Sequence, residues 1–91
     1  MGKMKKEEVQ TKLESLKGWK HEGDSIEKEF EFDDFKTAFA FMTRVAFEAE
    51  ALTHHPNWEN VYNSVKISLN THDAHGITQK DFDLAEKIEA I

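Results

Sequence analysis

Four of the chain's five histidines lie between Glu50 and Asp81: the adjacent pair His54–His55, set directly before the only proline, Pro56, and then His72 and His75. Imidazole is the side chain whose unperturbed charge change falls between about pH 5 and 8, so a cluster of this kind points to metal binding or to proton transfer. A catalytic zinc site wants three protein ligands and an open fourth position. Glu50 and His54 are four apart and could share a helical face, and His72-Asp73 resembles a metal-binding dipeptide. Against a metal, neighbouring residues such as His54 and His55 must diverge, by about 100° on a helix or to opposite faces of a strand. His21 and His75, taken singly, read as ordinary surface histidines.

The elements that must position these groups follow from hydropathy patterning. Val9, Leu13 and Leu16 recur at helical spacing over Lys5–Leu16, with Gly18 just beyond. Ile26, Phe30 and Phe32 alternate with Glu27, Glu29 and Glu31, which predicts a strand with one wet face over Ser25–Phe32. The turn residues Glu22-Gly23-Asp24-Ser25 join it to a short strand at Trp19–His21. Asp33 or Asp34 caps a long helix running to Leu52, whose stripe reads Phe35, Ala38/Phe39, Met42, Val45/Ala46, Ala49 and Leu52. Phe41 and Phe47 fall outside that stripe, so the helix is expected to pack on two sides. Pro56 stops it, because proline lacks an N–H and disfavours helical backbone in the residue before it. That leaves His54 and His55 at a helix C-terminus, whose dipole attracts positive charge.

Asn57–Tyr62 and Ser64–Thr71 read as two further strands, with His72 just past the second. Thr78 and Asp81 form a Thr-x-x-acid capping box, and Ile77 and Phe82 stand where a hydrophobic staple would pair them. Leu84, Ala85, Ile88 and Ile91 continue a buried helical face. The predicted class is α+β: a single antiparallel four-stranded sheet with three helices packed on one face, in the order α-β-β-α-β-β-α.

With 91 residues the chain makes one domain, 1–91. No cysteine is present, so disulfides, thiolate nucleophiles and Cys-based metal sites are excluded. A net charge of −6 argues against direct nucleic-acid binding, which needs a basic face. No apolar run approaches membrane-spanning length and the start MGKMKKEEV is polar, so a cytoplasmic location is expected.

The spacing acid-x3-His-His-Pro-x5-aromatic-x9-His-x8-Asp is met by Glu50, His54, His55, Pro56, Tyr62, His72 and Asp81. It resembles the signature of the pterin-4a-carbinolamine dehydratase family, also known as the dimerisation cofactor of a homeodomain transcription factor. The segment HHPNWENVYNSVKISLNTHD carries the resemblance most tightly. The resemblance implies dehydration of 4a-hydroxytetrahydropterin to quinonoid dihydropterin, in tetrahydrobiopterin recycling, with the pterin as substrate and no metal or organic cofactor.

It further implies His54, His55 and His72 as catalytic residues. His54 and His72 would flank the pterin as general acids, while His55 orients it and accepts a proton. Glu50, one turn before His54, would orient that imidazole. Trp58 would stack on the pterin or simply pack the sheet, Tyr62 reads as structural, and Pro56, Thr71 and Ser68 are supporting candidates. Asp81 would shape the site wall as a helix-start residue and hydrogen-bond a site histidine. Backbone groups near Asn70–His72 would meet the pyrimidinone edge. Implied partners are a second copy or three further copies through the central helix, an aromatic amino-acid hydroxylase as functional neighbour, and a transcription factor. The alternative function is a protein-binding coactivator module, with a nuclear location in that case.

Overall fold

In the computed structural model, which describes residues 2–91, alternation in the second hairpin strand sets the sheet's two faces. The strands are β1 (Lys20–Glu22), β2 (Ser25–Glu31), β3 (Asn57–Val61) and β4 (Ser64–Leu69). They lie in the order β1-β2-β4-β3, and every neighbouring pair is antiparallel. The register places Ile26 opposite Leu69 and Phe30 opposite Val65, which puts these apolar side chains on one face. Glu27, opposite Ser68, and Glu29, opposite Lys66, take the other face, which stays polar.

Three helices complete the fold: α1 (Lys6–Leu13), α2 (Phe35–Leu52) and α3 (Gln79–Glu89). The architecture is the expected α-β-β-α-β-β-α. The first helix ends earlier than its hydropathy suggested. Beyond Leu13 the backbone tightens to three-residue turns, with Leu16 N–H donating to the Leu13 carbonyl, and Leu16 is still buried. Gly18 then takes a φ of 91°, the left-handed backbone that suits glycine. Trp19 is buried there, and its indole N–H donates to Glu89 at 2.9 Å. Lys28 donates to the same carboxylate at 2.7 Å, so the C-terminal end of α3 is tied to β2 and to the start of the first hairpin.

Asp34 caps α2 and accepts the Thr37 N–H at 2.8 Å. Contact with the Thr37 side chain and this backbone donation hold the Asp34 carboxyl below its ordinary 3.8. The buried face of α2 is rotated from the expected stripe. Ala38, Val45 and Ala49 are sealed, whereas Phe35 and Phe39 are more than half exposed. Phe41, expected outside the stripe, packs on Phe30 and Phe32 of the sheet with ring centroids 4.9 Å away in each case. Phe41, three residues past Ala38 and four before Val45, lies on the same side of the helix as these buried residues and packs against the core beside them. Phe47 does lie outside, at 71 % exposure.

β3 ends at Val61 because Tyr62 turns left-handed, with φ 52°, and forms a two-residue hairpin loop with Asn63. β4 ends at Leu69, two residues earlier than expected. A short 3₁₀ turn over His72–Ala74, which the hydropathy pattern did not foresee, follows it. Its base is closed by an isolated bridge between Thr71 and Gly76. Phe41→Ala is expected to lower unfolding free energy by about 2 kcal/mol, the order for removing a partly buried ring. A urea melt that leaves the midpoint unchanged would place the buried face of α2 elsewhere.

Candidate active site

The site is built where three elements end. α2 stops at Leu52, and Thr53 adopts left-handed backbone, φ 51°, while its N–H still bonds back into the helix. A β-branched residue in that region is strained by roughly 1–2 kcal/mol. The turn it makes breaks the helical spacing before the histidines. As a result, Glu50 and His54 no longer share a face, and the expected Glu50–His54 pairing does not form. His54 instead turns inward, where its Nε2 lies 2.5 Å from Oδ1 of Asp81 at the start of α3. His55 turns outward and its Nε2 meets Glu50 at 2.8 Å. The divergence expected of adjacent histidines is present; Asp81 bonds a site histidine as expected, and Glu50 pairs with His55 rather than His54.

The two dyads differ in environment. His54 is 9 % and Asp81 0 % exposed, whereas His55 and Glu50 both stand largely in solvent. Exposed ion pairs contribute about 0–1 kcal/mol, while a buried carboxylate stripped of one partner is costly. Asp81 is well supplied. Its Oδ2 accepts the Thr71 hydroxyl at 3.0 Å and the Thr78 backbone N–H at 2.9 Å. The latter is half of the predicted capping box, and both halves are present. Asp81 is thus a helix-start residue and the partner of a site histidine at once. The third imidazole, His72, is exposed on the 3₁₀ turn and bonds no other side chain.

These residues border one open cavity of about 320 Å³, lined by His54, His55, Pro56, Asn70, Thr71 and His72, with Asp73 and Lys80. That volume is at the lower end of small-molecule sites, which run from about 300 to 1,000 Å³. A larger cleft, about 630 Å³, lies on the polar face of the sheet among Lys20, Glu27, Glu59 and Lys66. It holds none of the histidines, and convergent proton-transfer groups mark a site better than volume does. Among the described residues, no group of three or more His, Asp and Glu side chains is placed to hold a metal ion.

Other expected residues stand apart. Trp58 lies on β3, partly exposed and outside the cavity wall, and Tyr62 sits at the hairpin loop. Ser68 donates to Glu27 on the polar face of the sheet. His21 belongs to β1, and His75 ends the 3₁₀ turn in left-handed backbone, φ 58°. Sequence reasoning missed Lys80, Thr53 and the side chain of Asn70, whose Oδ1 is buried with no protein partner, and weighed Asp73 only as a metal ligand beside His72. Lys80 was within reach of that reasoning, since it is Asp81's neighbour in the first turn of α3.

An α+β domain that gathers three imidazoles in one small cleft, two of them paired with carboxylates, carries groups of the kind that general acid–base chemistry uses. The chain belongs to the pterin 4 alpha carbinolamine dehydratase family, whose pattern matches residues 2–91. It is 56 % identical over 91 residues to a protein of Christiangramia forsetii provisionally named pterin-4-alpha-carbinolamine dehydratase, covering all of this chain and 94 % of that one. A protein of Opitutus terrae with the same provisional name is 52 % identical over 85 residues, covering 92 % of this chain and 88 % of the other. Among solved structures, one from Brucella melitensis described as a transcriptional coactivator/pterin dehydratase superposes with a TM-score of 0.94 at 40 % identity, over 98 % of this chain and 97 % of that one. A pterin dehydratase-like RuBisCO assembly factor of the alpha-carboxysome shares the fold, with a TM-score of 0.65 at 20 % identity over 79 % and 83 % of the two chains.

Asp81→Asn is expected to cost about 2–4 kcal/mol of stability, since it weakens charge-assisted hydrogen bonds at a sealed position. Glu50→Gln should stay within about 0.5 kcal/mol, as for other exposed pairs. Equal effects in guanidinium melts would contradict the difference in burial between the dyads.

Proposed function

We propose that this protein dehydrates 4a-hydroxytetrahydropterin to quinonoid dihydropterin, the step that returns a spent tetrahydrobiopterin-type cofactor to use. The observation that carries the reading is the cleft shared by His54, His55 and His72, in a chain of this family. The N5 lone pair of the substrate can expel the 4a-hydroxyl, but hydroxide leaves poorly near neutral pH. A general acid must protonate it, and a base must take the proton released as the quinonoid product forms. The pterin is the substrate, and the reaction needs no metal or organic cofactor.

C4a is a stereocentre, so the hydroxyl can leave from either face of the ring. His54 and His72 come from different elements, the end of α2 and the turn after β4, which suits acids acting on opposite faces. His55, in solvent beside Glu50, orients the ring and accepts a proton. The cellular setting that fits this activity is the cytoplasm, beside an aromatic amino-acid hydroxylase. Stopped-flow dehydration of chemically generated 4a-hydroxytetrahydropterin tests the assignment. The wild type should accelerate the reaction, and His54→Ala and His72→Ala should each slow one C4a epimer by about 10²–10⁴-fold, the usual contribution of a general acid. No acceleration by the wild type would overturn the reading.

A second reading, as a protein-binding module, is favoured by a different observation. Phe35, Phe39 and Phe47 stand 51 %, 56 % and 71 % exposed on the outer side of α2, an apolar surface of the kind that partners cover. The Brucella structure is described as a coactivator as well as a dehydratase. The proposed partner in the first instance is another copy of the chain, as a homodimer or homotetramer through α2, with a transcription factor as the alternative. Phe39→Asp combined with Phe47→Asp should shift sedimentation to the monomer without altering dehydration per chain. An unchanged sedimentation coefficient would remove α2 from the interface.

A further inference from the structure

The hydroxyl hydrogen bonds behind Asp81 have a determined direction. The Lys80 backbone N–H can only donate, and it donates to Thr78 Oγ1 at 3.3 Å. Thr71 Oγ1 lies 3.0 Å from Asp81 Oδ2 and 2.8 Å from Thr78 Oγ1. A carboxylate accepts only, so Thr71 spends its single hydroxyl proton on Asp81 and must accept the proton of Thr78. The order of donation therefore runs from Lys80 N–H to Thr78, from Thr78 to Thr71, and from Thr71 to Asp81. The Thr78 N–H adds a second donor on Oδ2 at 2.9 Å. With Oδ2 filled from the α3 side, Oδ1 is left to accept from His54 Nε2 at 2.5 Å.

We infer that Thr71 and Thr78 are positioning residues which, through Asp81, hold His54 in its Nε2–H tautomer, so that Nδ1 is the one ring nitrogen His54 offers the cleft. Nδ1 has no protein partner, and it is not among the side-chain atoms sealed without one. His54 is therefore not a neutral N–H donor to a ligand. It accepts at Nδ1 when neutral and donates from Nδ1 when protonated, and it keeps its bond to Asp81 in both states.

Applied to the dehydration, and resting there on the function proposed above, the Nδ1 proton passes to the 4a-hydroxyl oxygen. The C4a–O bond breaks with its electron pair leaving on that oxygen as water, the N5 lone pair forms the C4a–N5 double bond, and His55 takes the proton from the resulting cationic N5–H to give the neutral quinonoid product. His54 is left as the Nε2–H neutral ring, already in its resting tautomer, ready to take up a proton at Nδ1. No ring rotation or tautomer exchange is needed between turnovers, because Asp81 never releases Nε2.

Long-range proton–nitrogen correlation spectra of ¹⁵N-labelled protein test this directly. Neutral His54 should show a protonated Nε2 and an unprotonated Nδ1. Thr71→Val, close in shape but without the hydroxyl, should move His54 toward a mixture of tautomers and lower kcat about tenfold with little change in KM, the order for losing one hydrogen bond to a charged group. Thr71→Ser should restore both readouts. A wild-type His54 protonated at Nδ1, or averaged between tautomers, would overturn the inference, as would a Thr71→Val protein with unchanged spectrum and unchanged kcat. Should Thr71→Val fail to fold, the wild-type spectrum alone decides the tautomer. A wild type with the expected tautomer but no effect on pterin dehydration would uphold the hydrogen-bond chain and remove the proposed reaction.

Discussion

The structure is organised around one sealed carboxylate. Asp81 has no exposure to solvent and accepts hydrogen bonds from His54, Thr71 and Thr78. An ionised carboxylate without partners would cost many kcal/mol in such a position. Its donors come from the end of α2, the exit of β4 and the start of α3, so the three segments can meet only in the arrangement that satisfies it. The Thr53 turn that aims His54 inward and the Thr71–Gly76 bridge that sets the 3₁₀ turn follow from the same requirement. Burial of Ile26, Val65, Ile67 and Leu69 under the helices supplies the general stability of the fold. It does not choose the register at this corner; the carboxylate does.

The clustered histidines are accordingly placed at element ends, where backbone direction changes and side chains from distant parts of the chain converge. Two of the three non-glycine residues with positive φ, Thr53 and His75, flank this corner, while the third, Tyr62, serves a hairpin loop. Strain next to a site persists when surrounding bonds over-determine it. Here the Thr53 N–H bonds back to the helix, as does that of His54. The two imidazole–carboxylate pairs then separate by burial. One is buried and the other stands in solvent, and His72 lines the same cavity. Three histidines thereby gain three different environments.

The sequence was most readable where a pattern has one physical cause. Strand alternation in Ser25–Glu31, the Asp34 cap and the Thr78/Asp81 box each depend on a handful of neighbouring residues, and each is present. Readings that depended on extrapolating a helix were less secure. The stripe expected on α2 holds Ala38, Val45 and Ala49, which are buried, but also Phe35 and Phe39, which are not, and the buried face extends instead toward Phe41. The pairing of Glu50 with His54 assumed that helical geometry continues past Leu52. Pro56 showed that the helix must stop, but the residue at which it turns, and the left-handed conformation of Thr53, are set by tertiary bonds that local sequence does not encode. The 3₁₀ turn at His72, closed at its base by the Thr71–Gly76 bridge, likewise has no signal in the hydropathy pattern.

One helix serves both readings of the protein. The C-terminal end of α2 delivers His54 and, through Glu50, supports His55, while its outer side carries the exposed Phe39 and Phe47. The face between them and the sheet is filled by Ala38, Phe41, Val45 and Ala49, which are common to both uses. Neither Phe39 nor Phe47 borders the histidine cleft, and Asp81 is held from within by His54 just past α2, Thr71 just past β4 and Thr78 at the start of α3. A partner covering the outer side of α2 would therefore leave the carboxylate and its donors untouched. The histidine cleft and the exposed apolar surface thus share a helix on this small domain without sharing a face of it.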